Sequence, residues 1–406
     1  MSRRPRYIFR FEAGNRFTLA ALFGALEVAG LLRKVDFVVA KTEKEAERAL
    51  ADGGILFHSL VSTEASRWAA ELSRLRKATS RRFLAAAGGA HVTGDTDSAF
   101  ALGYDVAFTG RAERSFIRFT GELLDGGLPA AGMVIPELPD PAWEETLYVS
   151  SVDGFFPVIE LQRGCDLKCS FCQAGRLNRE RARYKSLDAM REFLRRLYAR
   201  GITRMYFLTP SAFDYRPAAC ATSLEGVEAL LSLCRDERMR FVEYGIFPSE
   251  VRPSMHTAPY YALLSRLASN RRTVIGAQSF SPRMLKRCRR GHGVDEIVST
   301  VTTAADHGFR PYVDVMFGLP GETAADRTVT LDAMEALFFS HGARTQLHHF
   351  VPLSGTPWYH HDPEKLDAAT VRRIVRMEKA GMTRGWWREG PRLAKAVALV
   401  RDAPRG

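Results

Sequence analysis

The chain has 406 residues, of which 46% are hydrophobic and 26% are charged. This length predicts two or three domains with ordinary globular cores, and no stretch has the length and apolarity of a membrane span. The most apolar stretch, residues 17–32, contains Glu27 and two glycines and is not followed by a small-residue cleavage motif. We therefore interpret it as a helix packed on a sheet, not as a signal peptide, and we predict a cytoplasmic protein without a membrane partner.

Lysine and arginine outnumber aspartate and glutamate by 58 to 46, which gives a net charge of +12. This balance fits an acidic partner such as RNA, although it does not identify one. The densest basic run comprises Arg176, Arg179, Arg181, Arg183 and Lys185. Two interpretations stay open for this run, a solvated helix face and a basic rim beside an active site.

Strand and helix patterns alternate through the first 125 residues. The strand candidates are 7–11, 35–40, 55–58, 83–87 and 105–109. Helical patterns cover 16–31, 42–51, 64–78 and 95–102, and a further helix begins near Arg111. Such alternation predicts an α/β fold, here a doubly wound Rossmann-like domain over 1–125. Ligands bind such sheets at the carboxyl ends of the strands.

Residues 126–150 are rich in glycine and proline, and we predict a linker there. A second alternating series follows, with strand candidates 158–162, 204–209, 241–247, 273–278, 310–317 and 345–351. Helical patterns separate these strands at 186–200, 224–237, 258–269, 294–307 and 323–340. Six such units predict a (β/α)6 partial TIM barrel over 151–360, since too few residues remain for eight strands. Residues 361–406 predict a helical, basic C-terminal tail.

Three of the six cysteines fall within eight residues, a crowding that indicates a metal site and not a disulfide framework. Cys165, Cys169 and Cys172 follow the first barrel strand at gaps of three and two residues. Thiolates suit iron–sulfur clusters, and three ligands on a cubane leave one iron open. A zinc site is the alternative, with a fourth ligand from His256, His292, His348 or His349. We interpret the scattered Cys220, Cys234 and Cys288 as buried or indifferent thiols.

The cysteine spacing after the first strand of a partial barrel, with Phe171 before the third cysteine, resembles the radical SAM superfamily. The resemblance implies a [4Fe-4S] cluster on the three cysteines, with S-adenosylmethionine (SAM) chelating the open iron. One electron from an external donor such as flavodoxin or ferredoxin then cleaves SAM to a 5′-deoxyadenosyl radical. That radical abstracts a hydrogen atom from the substrate.

Polar residues near the ends of later barrel strands are the candidates for contacts to SAM. The set is Phe171, Thr209, Pro210, Ser211, Glu250, Arg252, Gln278 and Ser279. For each of them alone, a role as a strand-end cap or turn residue is the alternative. The patterns Gly-Ala-Gln-Ser, Arg-Arg-Gly-His and Gly-Leu-Pro-Gly-Glu resemble the subgroup shared by methylthiotransferases and B12-dependent radical SAM enzymes.

The N-terminal domain distinguishes between these two groups. No cysteine precedes Cys165, whereas methylthiotransferases carry a second cluster on N-terminal cysteines. Ser59-Leu60-Val61, followed after 26 residues by Gly88-Gly89, resembles the SxL…GG pattern of cobalamin-binding domains. The resemblance implies cobalamin contacts from Ser59, Leu60, Gly88, Gly89, His91, Gly110 and Glu113. For His91, a cobalamin contact and a plain turn residue are both open.

One departure from the cobalamin pattern affects the cobalt. The expected DxHxxG position holds residues 12–17, which contain no histidine. A bound cobalamin would therefore lack this protein ligand, and a degenerate domain without cobalamin is the alternative. The leading hypothesis is a cobalamin-dependent radical SAM C-methyltransferase. The others are radical chemistry without methylation, including rearrangement, cyclisation or tRNA modification, and a nucleic-acid-binding module with a structural cluster. The substrate, whether a small molecule, a peptide or RNA, is not identified by the sequence.

Overall fold

The computed structural model describes residues 4–156, 159–177 and 181–404. Val158 of the first predicted barrel strand and Arg179 of the basic run lie outside the described residues. The chain divides into two compact units. Unit 1 consists of Met1–Val158, Leu353–His360 and Lys395–Gly406, and unit 2 of Ile159–Pro352 and His361–Ala394. In the described part of the chain, no helix combines the length and apolarity that crossing a membrane requires.

Unit 1 is built on six parallel strands in the order β2-β1-β3-β4-β5-β6. The strands are β1 (Arg6–Arg10), β2 (Asp36–Ala40), β3 (Ile55–Ser59), β4 (Leu84–Gly88), β5 (Val106–Phe108) and β6 (Met133–Ile135). The helices are α1 (Arg16–Val28), α2 (Glu43–Leu50), α3 (Ala65–Ala78), α4 (Ala90–Gly94), α5 (Thr96–Ala101) and α6 (Glu113–Leu124).

Alternate residues of the unit 1 strands enter two separate cores. Phe57 on β3 packs in an aromatic cluster with Phe9 and Phe116, whereas its neighbour Leu56 packs with Trp68 on the opposite face. Side chains alternate between the faces of a strand, so burial on both faces requires helices on both sides of the sheet. The predicted doubly wound domain is thereby confirmed.

Unit 2 carries the predicted βα repeats. Its strands are β7 (Gln162–Arg163), β8 (Arg183–Tyr184), β9 (Arg204–Tyr206), β10 (Phe241–Glu243), β11 (Arg272–Gln278), β12 (Arg310–Phe317), β13 (Arg344–His349) and β14 (Thr383–Gly385). Its helices are α7 (Ala174–Leu177), α8 (Leu187–Ala199), α9 (Ser223–Asp236), α10 (Ala258–Leu267), α11 (Pro282–Cys288), α12 (Val294–Asp306), α13 (Ala324–His341) and α14 (Ala368–Lys379), and α15 (Gly390–Arg401) extends into unit 1.

The unit 2 strands follow one another in parallel around a partial barrel. Single bridges join Glu160 to Leu208 and Val251 to Ile275, and between these bridges β9 pairs with β10. The order then continues as β11-β12-β13-β14. Apart from these parallel pairs, β7 and β8 form a small antiparallel hairpin beside the cysteine loop.

Three segments differ from the sequence predictions. The region predicted as a linker, 126–150, contributes the edge strand β6, which pairs with β5. The tail predicted as helical contains β14, which pairs in parallel with β13. The segment before the predicted helix 95–102 forms an additional short helix, α4, whereas the predicted helix itself corresponds to α5; Asp95 separates the two because it leaves helical geometry (φ −151°, ψ 79°) and caps α5 at Ser98.

The barrel boundary also differs from 151–360. Residues Leu353–His360 group with unit 1, where the Ser354 hydroxyl donates to the His91 carbonyl at 3.0 Å and the Tyr359 hydroxyl to Asp95 at 2.9 Å. A Cβ on Gly94 would lie 2.4 Å from the Ser354 carbonyl carbon, so only glycine permits this packing. Sequence periodicity did not reveal it because the partners lie more than 250 residues apart.

Candidate functional site

The three clustered cysteines lie on the loop between β7 and α7. Cys169 is buried, and Cys165 and Cys172 are half-buried. Burial raises the pKa of Cys165 and of Cys172, and the neighbouring thiols of the loop raise it further. The loop closes tightly on α7, since a Cβ on Gly175 would lie 2.1 Å from the Leu167 carbonyl oxygen. The three thiols of the loop are therefore close enough for each charge to affect its neighbours.

The C-terminal end of α11 and the residues that follow it hydrogen-bond to this loop. The Ser170 amide donates to the Cys288 carbonyl at 2.9 Å, and its hydroxyl donates to the Arg287 carbonyl at 3.1 Å. Arg290 donates to the Cys169 sulfur at 3.3 Å and to the Gly276 carbonyl at 2.5 Å. The sequence pattern included this segment, but it did not indicate Arg290 as a site residue.

The donor set fits an iron–sulfur cluster in its chemistry, because thiolates are the ligands that such clusters take. A buried thiolate needs nearby positive charge. Burial raises the pKa of Cys172, and the charge of Arg290 partly offsets this rise. Among the described residues, no three His, Cys, Asp or Glu side chains already stand in the arrangement of a metal site. We therefore propose, and do not observe, that the three sulfurs converge on one cluster.

The predicted SAM residues Thr209, Pro210 and Ser211 follow β9. The Thr209 hydroxyl donates to the Gln162 side chain at 3.1 Å, which ties this strand end to the strand that precedes the cysteines. The Ser211 hydroxyl is buried and has no hydrogen-bond partner in the described structure. A buried, unsatisfied hydroxyl costs free energy unless a ligand completes it. Ser211 therefore fits the predicted role of a ligand contact.

Glu250 and Arg252 follow β10. Burial raises the pKa of Glu250 to about 7, and the neighbouring charge of Asp314 raises it as well. Arg252 forms an ion pair with Asp214 at 3.1 Å. Glu250 is therefore set up to hold or release a proton near neutral pH, while part of the Arg252 guanidinium is already engaged.

Gln278 and Ser279 lie where β11 ends. Gln278 has a positive φ of 74°, and the pairing of β11 with β12 shifts register between Gly276 and Gln278. Non-glycine residues in this conformation are uncommon and cluster at functional sites. The Ser279 hydroxyl instead lies 3.3 Å from the Thr330 hydroxyl and accepts from the Ser281 amide. The structure is thus compatible with the predicted contact of Gln278 to SAM, whereas the Ser279 hydroxyl already interacts with Thr330 of α13 and with Ser281.

A group of titratable side chains that the sequence analysis did not assign to SAM completes this end of unit 2. Asp314 on β12 is 4% exposed, and its Oδ1 has no hydrogen-bond partner in the described structure. His348 on β13 lies 3.9 Å from that atom. Gln346 and His348 are half-buried, whereas the alternate residues Thr345, Leu347 and His349 are buried. One face of β13 is therefore packed, and the other is open enough to admit a ligand.

Unit 1 contains an apolar pocket at the carboxyl end of its sheet. The pocket has about 440 Å³ of empty space, part of it open to solvent, and lies between the sheet and helices α1 and α6. Three residues of the predicted cobalamin set line it, namely Ser59, Gly88 and Gly89. Its wall is largely aromatic and aliphatic, with Phe9, Leu19, Leu22, Phe57, Phe108 and Phe116.

Glycine is required at position 89 by a close backbone approach. Its φ is +98°, and a Cβ there would lie 2.7 Å from the Leu60 carbonyl oxygen and 3.2 Å from the Ser59 hydroxyl. The Leu60 amide donates to the Gly88 carbonyl at 2.8 Å, and the His91 amide donates to the Leu60 carbonyl at 3.0 Å. These contacts join Ser59-Leu60 to Gly88-Gly89, the two parts of the predicted cobalamin pattern, beside the pocket.

The other predicted cobalamin residues are placed differently. His91 is fully buried, and its ring nitrogens lie 3.1 Å from the Ser62 hydroxyl and 2.9 Å from the Ser98 hydroxyl. Both nitrogens are thus satisfied within unit 1, which favours the turn interpretation over a ligand contact. A Cβ on Gly110 would lie 2.4 Å from the Glu137 carboxylate. Glu113 is buried at the start of α6 and does not line the pocket.

Comparison with known proteins gives a family match for part of unit 2. Residues 159–334 match the sequence model of the radical SAM superfamily. The tRNA-2-methylthio-N(6)-dimethylallyladenosine synthase of Saccharophagus degradans is 26% identical over 235 residues, which are 56% of this chain and 49% of that protein. The threonylcarbamoyladenosine tRNA methylthiotransferase MtaB of Thermotoga maritima is 25% identical over 227 residues, 55% of this chain and 50% of that protein. The chain spans about half the length of these curated relatives.

Solved structures match over more of the chain. The radical SAM methyltransferase TsrM from Kitasatospora setae superposes with a TM-score of 0.66 at 16% identity, covering 88% of this chain and 75% of that one. The cobalamin-dependent radical SAM enzyme OxsB superposes with a TM-score of 0.61 at 13% identity, covering 82% and 52%. At such identities the likeness concerns the fold, and it confirms the predicted Rossmann-like domain followed by a partial barrel. The resemblance drawn from the cysteine spacing is thus confirmed, and residues 159–334 are a radical SAM domain.

Proposed function

We propose that this chain is a cobalamin-dependent radical SAM enzyme that transfers a methyl group to a carbon atom of its substrate. The observation that carries the proposal is the unit 1 pocket, which Ser59, Gly88 and Gly89 line together. Support comes from TsrM and OxsB, two proteins of similar fold whose structures contain cobalamin. The radical SAM domain supports the other half of the proposal.

In this proposal Cys165, Cys169 and Cys172 hold the cluster, and the apolar pocket of unit 1 receives part of cobalamin. When bound, the cluster supplies the electron that cleaves SAM, and cobalamin supplies a carrier for the methyl group. The largely apolar wall of the pocket suits the apolar surface of a flat ligand, and Gly89 is among the residues that line it. The Leu60 backbone lies directly against Gly89 and fixes the position of this part of the lining.

The unit 2 side chains would bind and orient SAM and substrate. Ser211 offers an unpartnered hydroxyl, and Gln278 projects from a strained strand end. Glu250 holds a proton that it can release near neutral pH because burial raises its pKa to about 7. The proposal is compatible with a small molecule, a peptide or RNA as substrate, and it requires an external one-electron donor such as flavodoxin or ferredoxin.

Cobalamin retention tests the proposal. We would purify the protein anaerobically from cells supplied with cobalamin and quantify the extracted cofactor by absorbance and mass spectrometry. Thr18 lines the pocket with an exposed side chain, so Thr18→Trp should fill the pocket without removing a core contact. Phe17→Trp at the neighbouring exposed position, which does not line the pocket, is the matched control. If wild-type protein retains no cobalamin, the methyltransferase proposal fails.

The cluster assignment has its own test. Cys165→Ala should lower the iron content of reconstituted protein and abolish formation of 5′-deoxyadenosine from SAM. Cys220→Ala is the control, since Cys220 is a similarly half-buried thiol outside the loop. Equal iron content and SAM cleavage in wild type and Cys165→Ala would contradict the assignment.

Modification of tRNA without cobalamin is the second candidate. It is favoured by the curated relatives, which are tRNA methylthiotransferases, and by the net charge of +12. Binding of tRNA that weakens steeply with salt would support this candidate, because counterion release makes such binding salt-dependent. Product mass separates the candidates, since methyl transfer to carbon adds one methyl group and methylthiolation also adds sulfur.

A further inference from the structure

We propose that Arg290 tunes the reduction potential of the cluster by donating a charged hydrogen bond to the sulfur of Cys169. This inference rests on the proposed cluster assignment and adds to it a residue outside the cysteine loop. Arg290 would be a positioning residue, because it acts through a cluster ligand.

The geometry of Arg290 is specific to this role. One terminal nitrogen of its guanidinium lies 3.3 Å from the Cys169 sulfur, and the other lies 2.5 Å from the Gly276 carbonyl oxygen at the end of β11. The guanidinium carbon lies 5.8 Å from the centre of the Phe171 ring. Three separate contacts thus fix one side chain between the cysteine loop and a barrel strand.

Two further observations indicate that the Arg290 guanidinium donates hydrogen bonds to a bound group. Its Nε is buried and has no hydrogen-bond partner in the described structure, so one donor stays unused. Gly276 leaves the room for this approach, since a Cβ there would lie 3.3 Å from the Arg290 terminal nitrogen. A buried, unused donor on a cation is costly unless an electron-rich group completes it.

A charged donor at a ligand sulfur favours the reduced cluster. One-electron reduction adds a negative charge to the cluster, and part of that charge is carried by the sulfurs. Hydrogen bonds to these sulfurs are among the factors that set cluster potentials. Bonds from ionised donors are about twice as strong as neutral ones. Loss of Arg290 should therefore make the cluster harder to reduce.

The test is a redox titration of reconstituted protein, followed by electron paramagnetic resonance of the reduced cluster. Arg290→Met removes the donor and the charge, whereas Arg290→Lys keeps the charge without the planar fork. Arg289→Met is the matched control, since it removes the same charge one residue away from an exposed side chain. Iron content and thermal melting are measured for every variant.

We expect Arg290→Met to lower the ratio of reduced to oxidised cluster at a fixed potential about tenfold, which equals ~59 mV for a one-electron couple. Arg290→Lys should shift the ratio in the same direction by less, and Arg289→Met should leave it unchanged. A wild-type protein that binds no cluster overturns the proposed cluster assignment and this inference with it. If the clusters of the wild-type protein and of both Arg290 variants have the same reduction potential, this inference alone is overturned. Loss of the cluster from both folded Arg290 variants also overturns it, because Arg290 would then serve assembly.

Discussion

Gly89→Ala should destabilise unit 1 strongly. Gly89 has φ 98° and ψ −178°, a region that is essentially limited to glycine and costs other residues about 1–3 kcal/mol. The new Cβ would also lie 2.7 Å from the Leu60 carbonyl oxygen and 3.0 Å from the Leu60 nitrogen. Crowding of this kind adds roughly 1–3 kcal/mol. The sum is about 2–6 kcal/mol.

Hydrogen exchange read by mass spectrometry is the appropriate assay, because it reports the stability of unit 1 by itself. A loss of about 3 kcal/mol should speed exchange in peptides from β3 and β4 by about a hundredfold, since ~1.4 kcal/mol corresponds to a factor of ten. The control is Gly126→Ala, where φ is +92° and no atom would lie within 4 Å of the added Cβ. If Gly89→Ala exchanges no faster in these peptides than Gly126→Ala, the close approach to Leu60 is not what requires glycine.

Three other substitutions test single features of the described structure. Asp314→Asn should raise the free energy of unfolding by about 1 kcal/mol, because it removes a buried charge that faces Glu250; a loss in urea denaturation would contradict this. His91→Leu should cost about 2 kcal/mol in the same assay, since two buried serine hydroxyls each lose one hydrogen bond, yet cobalamin retention by the folded protein should not change. Burial raises the pKa of Glu322 to about 7. The folded state therefore keeps a proton that the unfolded state releases near the ordinary pKa of glutamate. The free energy of unfolding consequently falls as pH rises between about 4.5 and 7. Glu322→Gln should remove up to about 3 kcal/mol of this pH-dependent loss of stability. If Glu322→Gln leaves the pH profile of the free energy of unfolding unchanged, Glu322 is not the group responsible.

Most of the fold was predictable from local periodicity. The predicted strand 310–317 coincides with β12, and predicted helix 294–307 differs from α12 by one residue. The elements that escaped prediction are short and depend on distant partners. β6 has three residues and becomes a strand by pairing with β5, and β14 likewise depends on β13. Strands at a sheet edge need less hydrophobic sequence, so their signal is weak.

The candidate sites were predictable to different degrees. Ser59, Gly88 and Gly89 were predicted from their resemblance to the SxL…GG pattern, and in the structure the close approach of the Leu60 backbone to Gly89 gives a physical reason for one of these glycines. Arg290 was missed because its proximity to Cys169 arises across 121 residues, after a left-handed turn at Arg289 (φ 56°). Asp314 was missed as a site residue because a carboxylate within a strand gives no sign of lacking a partner.

The division of unit 1 among three separate segments has a consequence for its synthesis. Residues Leu353–His360 and Lys395–Gly406 belong to unit 1, and Ala394, Val397 and Val400 of α15 are buried. The Arg401 guanidinium donates to the Tyr359 carbonyl oxygen at 3.1 Å. On the ribosome, the first 156 residues emerge long before these segments, so the hydrogen bonds of His91 and Asp95 with Ser354 and Tyr359 form only late in synthesis. We expect the nascent N-terminal unit to depend on chaperones until α15 has left the exit tunnel.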